Sequence, residues 1–159
     1  MPSLSTKIVE HKLPMRPKCR QVQQKLRRVK PKMLLKIQEE VKKQLDAWFL
    51  EVTKYPKWVA NIVSVSKKDG KVRMCVDYRD LNLASPKDNF FLPLIDTLVD
   101  NTAKNSRFSF MDGFSGYNQI RMALEDREKT AFVTMWGTFC YKVMPFGLKN
   151  VGQLIKELW

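Results

Sequence analysis

Phe108-Ser109-Phe110-Met111-Asp112-Gly113-Phe114-Ser115-Gly116-Tyr117-Asn118-Gln119-Ile120 is the stretch on which the reading of this chain turns. From Arg107 to Asp112 apolar and polar residues alternate, which predicts a strand that ends on a carboxylate. Gly113 to Tyr117 predicts a tight turn, and Asn118 to Met122 a further short strand. An acid closing an apolar strand, followed by small residues, can hold a metal ion beside backbone N–H groups that cradle phosphates. Alone the pattern says little, because Asp-Gly also ends strands merely to start a turn.

The flanks give the stretch a setting. Downstream, Glu125 to Lys129 reads as a polar connection. Thr130 to Met135 and Phe139 to Val143 then pair as strands around Trp136-Gly137-Thr138. Upstream, Pro93 opens a short helix with Leu94, Leu98 and Val99 facing inward. Residues 79–92 read as irregular, broken by Asn82, Ser85, Pro86 and Asp88. Val59 to Ser66 and Lys71 to Tyr78, joined through Lys67-Lys68-Asp69-Gly70, predict a hairpin. Leu34, Ile37, Val41, Leu45 and Trp48 recur at helical spacing, so a helix is expected from Pro31 to about residues 49–52. Residues 1–30 have no hydrophobic period, and their prolines and cations predict an extended arm over a surface. Helix, hairpin, helix and strands in this order predict an α+β architecture.

Lys and Arg number 29 against 16 Asp and Glu, a net charge of +13. The first fifty residues hold 13 basic and 4 acidic side chains, so +9 of that excess sits there. Such a balance favours a polyanionic partner, nucleic acid above all, over a soluble basic protein without one. No apolar run is long enough to span a membrane. The first six residues carry no apolar signal core. Cys19, Cys75 and Cys140 are widely spaced and His11 is the single histidine, which argues against a zinc site and for reduced intracellular thiols.

Three segments, KKDGKVRMCVDYRDLN, FSFMDGFSGYNQI and KVMPFGLKN, together resemble the reverse transcriptase of gypsy-type LTR retrotransposons, in particular those of plants. The resemblance runs from about Val9 to Gly152, with the motifs in the family's order and spacing. It implies the fingers and incomplete palm of a right-hand polymerase, with residues 1–30 as a basic arm, 31–152 as fingers and partial palm, and 153–159 as a divergent tail. It also implies a dNTP, a DNA primer and an RNA template as partners, and two Mg2+ ions as cofactor.

Residue by residue, Asp112 matches the aspartate that bridges both ions, and Gly113 offers its carbonyl. Ser115 and Gly116 match positions whose N–H groups face the triphosphate. Tyr117 matches the ring that floors the sugar pocket, its alternative being an ordinary core aromatic. Lys67 and Arg73 match contacts to triphosphate oxygens, or else are solvated hairpin charges. Asp77, Tyr78, Arg79 and Asn82 match the segment against the template, with Arg79 touching its backbone while Asp77 and Asn82 hold local geometry. Phe146, in Met144 to Leu148, matches a loop residue over the sugar and base, or is a packed loop aromatic.

The pattern also departs from the family. The second carboxylates belong to a Tyr/Phe-x-Asp-Asp turn, yet the chain has no Asp-Asp pair, and Glu157 is its single acid after Glu128. Residues 153–159 leave the family pattern. One choice of family codons read one base out of frame yields Gln153-Leu154-Ile155-Lys156-Glu157-Leu158-Trp159, so a frameshift is the expectation for the tail. The expectation is a homolog fragment inactive by itself. The alternatives are a non-catalytic basic protein that binds RNA or RNA–DNA hybrid, and a translated relic without function.

Overall fold

The computed structural model describes residues 9–66, 72–87, 94–107 and 116–149. The expected strand over 107–112, the turn at 67–70, the start of the second helix at Pro93 and the tail at 153–159 lie wholly or mostly outside them. So do Lys67, Asp112, Gly113 and Ser115.

The extended segment contains a two-residue strand, β1 (Glu10–His11), and leads into helix α1 (Pro31–Asp46). Pro31 starts the helix where its missing N–H breaks no bond. Ile37 and Val41 bury one face against β2 (Leu50–Val52) and the later hairpin strand Val72–Val76, each contributing roughly 1.5–3 kcal/mol. The expected helix overran its true end. Trp48 N–H donates to Leu45 O at 2.9 Å and Phe49 N–H to Gln44 O at 3.0 Å, while Trp48 sits at φ 62°. This is a two-bond helix cap whose left-handed position usually belongs to glycine. The turn swings Trp48 off the apolar stripe, leaving it 75% exposed, and sends residues 50–52 into β2.

Strands β3 (Ala60–Ser66) and β4 (Val72–Val76) pair antiparallel with Ile62 opposite Val76 and Ser66 opposite Val72. Beyond β4 the expected irregular stretch begins instead with a helix, α2 (Arg79–Ala84). Leu81 and Ala84 pin its inner side into the core, and that burial outweighs the weak helix preference of Asn82. Helix α3 (Ile95–Thr102) forms, but Leu94 and Val99 face solvent rather than inward.

After a single turn of tighter helix at Gly116–Gln119 come β5 (Arg121–Met122), α4 (Leu124–Arg127), β6 (Phe132–Val133) and β7 (Thr138–Tyr141). The polar connection is thus largely helical. The main sheet has the order β2-β7-β6-β3-β4, antiparallel except where β6 lies parallel to β3. Phe132, wholly buried, packs its ring 6.0 Å from Phe139 and 5.7 Å from Tyr141. Thr134 closes the β6–β7 turn, its hydroxyl accepting N–H bonds from Trp136 and Gly137.

The leading segment is extended but does not merely skim the surface. β1 pairs in parallel with β5, His11 opposite Met122, and Leu13 is buried with its N–H on the Asp126 carboxylate at 2.7 Å. Further on, Arg16 N–H donates to Ala84 O, Ser85 Oγ to Pro14 O, and Gln24 bridges Asn61 and Asp80. The three cysteines are unpaired, and burial pushes the Cys140 thiol up to about 12, so it stays protonated. No described helix is long and apolar enough to cross a membrane.

Two outcomes follow from these local features. A left-handed non-glycine residue costs roughly 1–2 kcal/mol, against about 0.5–1 kcal/mol from the Lys142 ammonium 4.8 Å over the Trp48 ring. Trp48→Gly is therefore expected to raise stability by up to about 1 kcal/mol in urea unfolding. His11 is buried with neither ring nitrogen hydrogen-bonded, and desolvation lowers its pKa against the opposing pull of Asp126. The unfolded chain thus takes up the proton more readily, so stability is present above 6.5 and falls as pH drops below it. Unfolding measured between pH 7 and 5 should show this loss, at most about 1.4 kcal/mol per pH unit. The His11→Leu variant should stay flat over the same range.

Candidate nucleotide and template site

Where β4 ends, the chain turns through Asp77 and Tyr78 into α2. Asp77 N–H donates to Asn61 O, which keeps the turn against β3. The Asp77 carboxylate accepts Arg79 Nε and a second guanidinium nitrogen, both at 2.8 Å, and Arg27 at 3.4 Å. The hydrogen bond from Arg79 leads in holding Asp77 below the usual carboxylate range, and the same bond raises the arginine. Arg79 remains 74% exposed at its side chain. The result is a guanidinium fixed in orientation by a two-point fork yet open to solvent. Arg27 and Gln24, from the leading segment, buttress this turn; sequence reading missed both, because an aperiodic basic stretch does not say which cation folds back.

Tyr78 is buried, and its hydroxyl donates to Thr130 O at 2.9 Å. Burial raises its pKa far above the ordinary phenol value. Above its ring lies Gly147, at φ +100°, where an added Cβ would stand 3.7 Å from Tyr78 Cδ2 and 3.8 Å from Val76 O. The left-handed backbone rather than the space is what favours glycine there.

Asn82 ties the two segments together. Its amide donates to Gly147 O at 2.8 Å, and its carbonyl accepts the Lys149 N–H at 2.9 Å. Beside Gly147, Phe146 is 61% exposed and its ring lies 6.2 Å from Tyr117, tilted by 50°. Tyr117 in turn follows Gly116, beside which an added Cβ would meet nothing within 4 Å. Tyr117, Phe146, Tyr78 and Asn82, drawn from three separate sequence motifs, therefore share one locale. Arg73 stands apart on β4, exposed and opposite Val65. Among the described residues no cluster of His, Cys, Asp or Glu could hold a metal ion.

The profile of the family described as "Reverse transcriptase (RNA-dependent DNA polymerase)" matches residues 65–157. The chain belongs to this reverse transcriptase family. Among its relatives, an RNA-directed DNA polymerase homolog of Oenothera berteroana is 44% identical over 79 residues, half of this chain and 56% of that protein. The Pol polyprotein of the Drosophila melanogaster transposon gypsy is 36% identical over 85 residues, 54% of this chain and 8% of that one. The chain thus spans little more than half of the first relative and a small part of the second. The foamy viral protease–reverse transcriptase solved with double-stranded DNA superimposes with a TM-score of 0.70 at 18% identity, over 94% of this chain and 25% of that one. The fold is accordingly the α+β fold of a reverse transcriptase, a right-hand polymerase, and the chain is a homolog of the RNA-directed DNA polymerases of retrotransposons.

Asn82→Ala removes both bonds between α2 and the 147–149 loop. At roughly 0.5–1.5 kcal/mol each, the loss expected is about 1–2 kcal/mol in urea unfolding, together with faster amide exchange at Lys149.

Proposed function

We propose that these residues are fingers and first palm segment of a gypsy-type LTR retrotransposon reverse transcriptase of the plant kind, which in an intact polymerase transfers nucleotides from dNTP to a DNA primer on an RNA template. The observation that carries this reading is the convergence of Tyr117, Phe146 and the 77–82 turn, with Asn82 bonded to Gly147 and Lys149. Tyr117 floors the sugar and Phe146 covers sugar and base. Gly116, with nothing crowding its Cα, offers backbone N–H to the triphosphate together with Ser115. Lys67 and Arg73 meet triphosphate oxygens. Arg79, held by Asp77, reaches the template backbone, while Tyr78 and Asn82 fix that segment. The double-stranded DNA held by the foamy viral relative supports a nucleic-acid partner.

Asp112 and Gly113 are the proposed Mg2+ ligands; two such ions would activate the primer hydroxyl and steady the triphosphate. The residues at hand do not complete that site. No metal cluster exists among the described residues, and the sequence has no adjacent aspartates. One bridging carboxylate does not offset the repulsion of two dications. The net charge of +13 supports a second reading, a basic binder of RNA–DNA hybrid.

Two measurements test these readings. The 159-residue chain is expected to bind an RNA–DNA hybrid with affinity that falls steeply with salt, and to extend no primer by itself. Residues 65–149 grafted into the matching region of an active relative should retain primer extension, and Asp112→Asn in the graft should reduce it to background. A graft that folds and binds hybrid yet extends nothing would defeat the polymerase reading and leave the binding one.

A further inference from the structure

A second constellation uses none of the residues assigned above. Between the end of α1, strand β5 and the exit of β7 lies a cavity of about 310 Å3, lined among others by Trp48, Phe49, Asn118, Arg121, Arg127 and Lys142. Its volume is in the range of small-ligand sites, roughly 300–1,000 Å3. Among the described residues, three cations line it and no carboxylate does. Arg127 is anchored from outside the cavity wall by Glu51 at 3.6 Å and by Met122 O at 3.4 Å. Lys142 is anchored through its N–H on Phe49 O at 2.9 Å. The Arg127 side chain and the Lys142 backbone are thus held in place.

Trp48 is the singular member. It holds a left-handed backbone at φ 62°, 75% exposed, with the Lys142 ammonium 4.8 Å over its ring. A large aromatic so placed buries little apolar surface and strains the helix cap. The Lys142 contact apart, folding of the monomer therefore gains little from tryptophan at this position. Strain of this kind persists where it serves a site. A flat, open indole beside three cations matches a ligand that joins a flat ring to an anion.

We propose that this cavity binds a nucleotide unit, its phosphate among Arg121, Arg127 and Lys142 and its base stacked on Trp48. An acidic peptide would engage the cations and leave the indole idle. The site lies outside the proposed nucleotide and template residues and does not rest on the polymerase reading.

The test is anisotropy of fluorescein-labelled (dT)15 with the full chain across a salt series. Trp48→Gly suits the cap and is expected to fold at least as well as the parent, so a weaker complex cannot be put down to unfolding. Stacking of one base predicts a loss of about fivefold or more. Lys142→Gln should lower the slope of log affinity on log salt by about 0.7, the value for one phosphate contact on a single strand. Displacement of the oligonucleotide by dTMP would identify a free nucleotide as the occupant, and no displacement a unit within a strand; the proposal stands in both cases. Affinity unchanged in Trp48→Gly would overturn it. So would displacement by polyglutamate that is equally effective in the parent and in Trp48→Gly, since that would make the cavity a peptide site.

Discussion

The hydroxyl of Tyr78 reaches through the core to the carbonyl of Thr130, and Thr130, itself wholly buried, uses its own hydroxyl twice more. That hydroxyl donates to Arg127 O at 2.6 Å and accepts the N–H of Tyr141 at 3.0 Å. One threonine therefore joins the end of the hairpin, the last turn of α4 and the end of β7. No water reaches this point, so any partner removed leaves a buried polar group unsatisfied, at roughly 1–3 kcal/mol. The position of Tyr78 then sets everything above it. Its ring supports Gly147, Gly147 takes the Asn82 bond, and Phe146 is thereby presented to Tyr117.

The leading segment completes this arrangement from the other side. Gln24 Oε1 accepts both the backbone and the side-chain N–H of Asn61, Asn61 Oδ1 accepts the Arg27 backbone N–H, and the Arg27 side chain adds a second cation to the Asp77 carboxylate. The template-side turn is thus held by residues fifty positions away in sequence. A basic residue in this stretch acts here through a neighbouring carboxylate rather than through the net field of the chain.

Periodicity in the sequence revealed α1, the β3–β4 hairpin and the β6–β7 pair, because each buries an apolar face that repeats at its own spacing. It failed where a local rule was overridden. The helix end was misjudged since tryptophan occupies a position where glycine normally announces the stop. α2 was missed since Asn82 and Ser85 read as breakers; in fact the Asn82 side chain bonds to another loop, and the Ser85 backbone N–H closes the helix by donating to Leu81 O. β1 is two residues long and has no pattern to detect. Leu94 and Val99, expected inward, are exposed because amphipathic spacing tells which residues share a face, not whether anything covers it. Within the site, Tyr78, Asn82, Tyr117 and Phe146 each lie in a motif visible in the sequence, and the structure brings them close together, whereas Gln24, Arg27, Asn61 and Thr130 carry no motif and emerge only from their contacts.

The pairing of β1 with β5 joins residues more than a hundred positions apart. During synthesis at about 5–20 residues per second, His11 leaves the ribosome long before Met122 exists to cover it. For several seconds the nascent chain carries an uncovered imidazole, an unpaired two-residue strand and a buried-type leucine at Leu13, with only chaperones to shield them. The first of the described strands is in this sense among the last to be fastened, and closing so wide a loop makes its docking a late, entropically costly step of folding.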